Sequence, residues 1–322
     1  MITDKILIVL GEPNSVFSEL LFKYFKSNKY KYLKKKIILI GSFSLISKQM
    51  KSLNYNLKIN NIKNFSEYKK NCINIININY KFDKEFSKIS TKSNKYLKDC
   101  FNLALKIISN KKNIYLLNGP ISKKHFFLKK KFFGITEYIA NKTKSKNPVM
   151  LIYNKKISVS PITTHIPLKN VSLSISKKKI INNIIKINHF YKDVLKKKPN
   201  IAVLGLNPHC ETVAKISEES KIIIPSIKAL KKKQIYVKGP FSADTFFIHK
   251  NLEIYDVVVG MYHDQVLTPI KTLFNFDAIN ITLGLPFLRV SPDHGPNAKM
   301  IGKNKSDPSS IFCAMEFFSK IV

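Results

Sequence analysis

The 322-residue chain has no tryptophan, ten glycines, four cysteines and only 20 acidic residues against 56 basic ones. Each scarcity removes a class of protein. Cys72, Cys100, Cys210 and Cys313 are far apart and form no Cys-x-x-Cys pair, which argues against a disulfide scaffold or a thiolate zinc site and for a reducing compartment. No Gly-x-Gly-x-x-Gly run is present, so an ordinary Rossmann cofactor loop is not supported. The apolar run from Lys5 to Leu10 is too short for a signal segment or a membrane span and ends in Gly11-Glu12-Pro13. It reads as a first strand, and a cytoplasmic protein with no membrane association is expected.

Arginine is the sharpest scarcity. Arg289 is the single arginine, so the other 55 of the 56 basic residues are lysine. Lys, Asn, Ile, Phe and Tyr draw on AT-rich codons, and much of the composition follows from such a bias. The formal charge of +36 would ordinarily suggest nucleic acid. The lysines are spread through every segment, however, and the residue best suited to base and phosphate forks is almost missing. The charge is therefore read as solvated faces that steer anionic, phosphorylated substrates. A lone arginine among lysines points to something lysine cannot do, namely a rigid two-donor grip on a carboxylate or phosphate.

Short apolar, β-branched runs alternate with longer amphipathic stretches. Strands are expected at 6–10, 36–41, 114–117, 149–153, 201–204, 256–260 and 278–282. Helices are expected at 18–26, 95–108, 177–195, 222–232 and 308–321. This alternation implies an α/β protein with a largely parallel sheet, whose ligands sit beyond the carboxyl ends of strands. Residues 48–94 are rich in lysine and asparagine, show weak periodicity and say least.

Chemistry-bearing residues concentrate between Tyr255 and Gly302, in Met261-Tyr262-His263-Asp264-Gln265, Gly284-Leu285-Pro286 and Asp293-His294-Gly295. Three histidines, His165, His209 and His263, follow strands or occupy polar turns, 44 and 54 residues apart. No local metal-binding spacing links them. Three neutral imidazoles would leave positions on a cation open for substrate, as Lewis-acid chemistry needs.

Together with Gly119-Pro120-Ile121-Ser122-Lys123, Thr136-Glu137-Tyr138, Thr164-His165-Ile166-Pro167-Leu168, Asn207-Pro208-His209, Ala243-Asp244-Thr245 and Asn280-Ile281-Thr282, these motifs carry a resemblance over essentially the whole length. The chain resembles the 4-hydroxythreonine-4-phosphate dehydrogenases of vitamin B6 biosynthesis, relatives of the isocitrate and isopropylmalate dehydrogenases. The resemblance implies a two-domain fold with a cleft between domains. Residues 1–128 plus about 285–322 would form the cofactor side, and about 129–284 would carry substrate, metal and dimer contacts.

It further implies that His165, His209 and His263 bind one divalent metal (zinc, magnesium or cobalt), with His263 contributed across a homodimer interface. Thr136, Lys271, Asn280 and Arg289 would hold the small phosphorylated substrate. The family oxidises the C3 hydroxyl of 4-phosphooxy-L-threonine with NAD or NADP. The resulting β-keto acid decarboxylates to 3-amino-2-oxopropyl phosphate. Asp244, Asp264 and Lys271 are the candidates for the base that takes the hydroxyl proton.

Four departures from the family pattern stand out. Ile135 replaces a histidine expected to contact substrate, which keeps threonate or erythronate 4-phosphate open as the substrate. Ser15 and Phe17 replace glycines, and Cys210 to Lys215 replaces a glycine-rich run. Lys299 stands where an acid would hold the NAD ribose, so NADP is open too. The remaining alternative is a lysine-rich nucleic-acid-binding protein on a decayed dehydrogenase scaffold.

Overall fold

The computed structural model describes residues 4–109, 111, 113–127, 134–210, 217–275, 277–292 and 295–321, with His249 described by its backbone alone. Two compact units emerge, one built from Met1–Lys146 and Leu285–Lys320, the other mainly from Asn147–Gly284. The boundary expected at 128 lies outside the described residues.

The first unit holds β1 (Lys5–Val9), β2 (Lys36–Gly41), β3 (Ile59–Asn61), β4 (Ile73–Asn77) and β5 (Ile114–Asn118). The second holds β6 (Val149–Tyr153), β7 (Ser158–Thr163), β8 (Ile201–Leu204), β9 (Val237–Phe241), β10 (Val257–Tyr262) and β11 (Ile279–Leu283). The returning segment adds β12 (Arg289–Pro292) to the first unit.

Strands of the first unit run in the order β3-β4-β2-β1-β5-β12, and every pairing is parallel. Ile6, Leu7, Ile8 and Val9 are all fully buried. Such a continuous apolar run is what a strand covered on both faces requires. Helix Asn94–Ser109 lays Leu97, Cys100, Phe101 and Ala104 onto the side chains of Leu7, Val9, Ile38 and Ile40. Each large side chain buried there contributes roughly 1.5–3 kcal/mol.

In the second unit the order is β11-β6-β7-β10-β8-β9. Strand β6 is antiparallel to both neighbours, forming a hairpin with β7, while β7, β10, β8 and β9 pair in parallel. The architecture is thus mixed α/β and mostly parallel, as the alternation implied. Ala202, Leu204, Val258, Val266 and Ile270 pack one face of this unit, closed by helix His263–Phe274. Among the described residues no helix is long and apolar enough to cross a membrane.

Candidate active site

Four chemistry-bearing residues follow the carboxyl ends of four neighbouring parallel strands. His165 comes two residues after β7, His263 directly after β10, His209 in the turn after β8, and Asp244 just after β9. Neighbouring strands lie about 4.8 Å apart, so residues separated by up to 98 positions in sequence become lateral neighbours. The rings of His165 and His263 stand 5.7 Å apart, centroid to centroid. His209 Nδ1 is 3.6 Å from Asp244 Oδ2.

Two side chains that the sequence reading passed over hold these turns. Gln265 accepts from the Met261 N–H at 2.7 Å and donates to the Gly205 carbonyl at 2.8 Å, stitching the end of β10 to the end of β8. Glu219, 2% exposed, accepts from the N–H groups of Leu206 and Asn207 and from the Asn207 side-chain amide, all at 2.8–2.9 Å. Burial alone would raise the Glu219 carboxyl. These donors outweigh burial and hold it below the usual carboxylate range. The pinned turn places both His209 and Cys210 in the left-handed backbone region, at φ 55° and 60°. The successor run from Glu211 to Lys215 lies outside the described residues.

His263 opens its helix, and its Nδ1 lies 2.7 Å from Asp264 Oδ1. With Nδ1 committed to the carboxylate, Nε2 is the nitrogen left for a ligand. The Asp244 carboxyl is exposed. The Ser242 hydroxyl, and then the His209 ring, hold it below its ordinary value, which makes it a weaker base. Lys271 is exposed in the last turn of the same helix as His263. Asn280 sits mid-strand in β11, and its Oδ1 is buried without a hydrogen-bond partner among the described residues. An orphaned acceptor of this kind costs about 1–3 kcal/mol, a penalty that a ligand donor would relieve.

In the first unit, Arg289 opens β12 and is 1% exposed. Its Nε donates to Asn118 Oδ1 at 2.8 Å and its Nη1 to Thr136 Oγ1 at 3.1 Å. Burial lowers the guanidinium to about 10, with Glu137 pulling the other way. Asn118 was not singled out in the sequence, although it directly follows an expected strand, beside Gly119-Pro120, and ends the observed one. Lys299 is exposed in the short turn Ala298–Met300. Asp293 and His294 lie outside the described residues.

Imidazoles sharing a cation through bonds of about 2.1 Å have ring centroids roughly 5–6.5 Å apart, and the His165–His263 pair falls within that span. Among the described residues no group of three or more His, Cys, Asp or Glu side chains converges on one point. One chain therefore offers two close imidazoles and a third with its own carboxylate. Within one chain His263 stands beside His165.

Residues 33–318 match the family model of the pyridoxal phosphate biosynthetic protein PdxA. The chain belongs to the PdxA family. A 4-hydroxythreonine-4-phosphate dehydrogenase of Sulfurihydrogenibium sp. (strain YO3AOP1) is 39% identical over 316 residues, covering 97% of this chain and 96% of the relative. The crystal structure of a 4-hydroxythreonine-4-phosphate dehydrogenase from Klebsiella pneumoniae aligns with a TM-score of 0.86 at 25% identity, over 99% of this chain and 98% of that one. Isocitrate dehydrogenase from Methylococcus capsulatus shares only the fold, at 8% identity and a TM-score of 0.50, over 98% of this chain and 85% of that one.

Proposed function

We propose that this protein oxidises 4-phosphooxy-L-threonine, with NAD or NADP as acceptor and a divalent metal (zinc, magnesium or cobalt) as cofactor, acting in vitamin B6 biosynthesis. Membership of the PdxA family supports the reaction class. The observation that carries the residue assignment is the placing of His165, His263 and His209 past the ends of three adjacent parallel strands. A bound cation would polarise the C3 oxygen, and a nicotinamide would accept the C3 hydride.

The chain's own residues do the rest. His165 and His263 present imidazoles at a spacing one cation can share, and Asp264 fixes the His263 ring. The C3 hydroxyl proton leaves to a base, for which Asp264, Asp244 and Lys271 are the candidates. Asp244 is held in its ionised form by Ser242, which lowers its basicity. Lys271 suits the substrate phosphate as a point charge. Asn280 offers an unused acceptor for the substrate's amine or hydroxyl hydrogens. Arg289, with Thr136 against it, grips an oxyanion of the substrate, and Lys299 faces the cofactor's ribose or 2′-phosphate. Loss of CO2 from the β-keto acid then leaves 3-amino-2-oxopropyl phosphate.

A homodimer is part of the proposal. Leu168 and Leu173 are 71% and 88% exposed directly after His165, an apolar surface that a second copy would cover. That copy would complete a ligand set that one chain leaves unfinished. A cytoplasmic setting fits four cysteines that are far apart in sequence and form no Cys-x-x-Cys pair.

The test is NADH or NADPH formation from 4-phosphooxy-L-threonine with added divalent metal, wild type against His209→Ala. Metal-dependent turnover lost in the variant supports the assignment. Turnover only with threonate or erythronate 4-phosphate would move the substrate, as Ile135 allows. Silence with all three, together with salt-sensitive DNA binding, would replace the enzyme with a binding protein.

A further inference from the structure

At the opposite, amino ends of β8 and β9 the second unit carries a pocket of about 790 Å³. It begins at Ile201 and Val237, the first residues of those strands, whereas His209 and Asp244 follow their last residues. Ligand pockets usually occupy roughly 300–1,000 Å³, so the space is of ordinary size for a small molecule.

Three independent features describe what it would hold. The first is charge. Lys192, Lys198, Lys231, Lys233 and Lys238 line it, no carboxylate does, and among the described residues none of the five forms an ion pair. Two helices, Lys177–Asp193 and Ile224–Lys232, end here, and each contributes only about half a negative charge. Five ammonium groups exceed what two helix ends require. The second is an apolar wall. Tyr236 and Ile254, 67% and 47% exposed, are among the few large apolar side chains left in solvent, and both line this pocket. The third is Asn188. It lines the same pocket and is 6% exposed, a polar side chain set low in its wall.

The geometry points to a second binding site, separate from the histidine turns, for a small phosphorylated ligand with a flat ring. The ring lies on Tyr236 and Ile254, the phosphates meet the lysines, and Asn188 satisfies a polar edge of the ring. Because β8 and β10 lead from this pocket to His209 and His263, occupancy there leaves the substrate residues uncovered.

ADP titrated calorimetrically into the full chain, with saturating NAD and NADP present to fill any dinucleotide site, tests the proposal. Saturable binding is expected, weakened about tenfold or more by Lys198→Glu with Lys233→Glu, which is about 1.4 kcal/mol. Loss of ring stacking in Tyr236→Ala should weaken it about threefold or more. His209→Ala should leave it unchanged. These residues are exposed, and circular dichroism on each variant separates lost binding from lost folding. Absence of saturable binding, binding indifferent to the lysine and tyrosine changes, or inorganic pyrophosphate binding as tightly as ADP would each overturn the proposal.

Discussion

Arg289 of the first unit and His209 of the second are placed in opposite ways. In the first, Arg289 and Asn118 are 1% and 2% exposed and bound to each other, and Glu12 is 2% exposed within its own loop. In the second, His209 and Asp244 stand 73% and 55% exposed at the strand ends. A buried charge costs several kcal/mol even after partial relaxation, so the first unit carries its functional groups against the folding equilibrium. Exposed groups cost little. They depend instead on neighbours such as Gln265 and Glu219 to hold them in place. The single arginine of the chain sits where the cost is highest, and its pKa of about 10 still leaves it charged at neutral pH.

The widest separation between the units should appear on changing His263 to alanine. Turnover should fall about a thousandfold or more, at least about 4 kcal/mol in the barrier, while folding stability moves by less than about 0.5 kcal/mol. Steady-state kinetics paired with urea melts measures both. A comparable loss of stability would break the comparison.

Glu12 sharpens it from the other side. Burial raises its carboxyl from 4.5 to about 7, against weaker contributions from the Asn14 N–H and the Ser93 hydroxyl. Below pH 4.5 folded and unfolded chains both hold the proton. As pH climbs to 7 the unfolded chain releases it first, so stability falls across that window by about 3 kcal/mol. Glu12→Gln has no proton to lose and should miss that part of the decline. Urea midpoints at pH 5 and pH 8 measure the difference; parallel pH profiles would show that Glu12 is ionised in the fold.

The same contrast sets what the sequence could reveal. Strands fully buried on both faces, such as β1 and β2, stand out as unbroken apolar runs, and long amphipathic helices such as Lys177–Asp193 are equally plain. Strand β7 contains Pro161 and Ser158, β9 contains Gly239 and Pro240, and β3 with β4 lie in the asparagine-rich stretch. None of these is an unbroken apolar run, and pairing with neighbours holds them. The antiparallel β6 is as apolar as its parallel counterparts, so its direction is invisible before the hairpin is seen. Among the site residues, histidines are legible as residue types in turns. Gln265 and Glu219 are not, because their role is to bond backbone groups of other strands. Asn118 became visible only through the register that sets Arg289 against Leu116 in β5.

Arg289→Met carries the comparison into the first unit's own site. It leaves Asn118 Oδ1 buried with no donor from residue 289 and removes the bond to Thr136. A destabilisation of about 2 kcal/mol is expected, alongside a raised KM for the phosphorylated substrate. An effect on KM with stability intact would mean the guanidinium is held by ligand alone.

The smallest expected effect separates two carboxylates within the second unit. Asp264 lies at hydrogen-bonding distance from the His263 ring, 2.7 Å, whereas Asp244 is 3.6 Å from that of His209, too far to orient it. Neutralising the partner that orients a metal-ligating histidine typically costs about 10–100-fold in metal affinity, so Asp264→Asn should raise the metal concentration for half-maximal turnover by at least about tenfold. Asp244→Asn should shift it by less than about threefold. Equal shifts would mean that both imidazoles need a carboxylate behind them once metal binds. The longer contact would then have to shorten on binding.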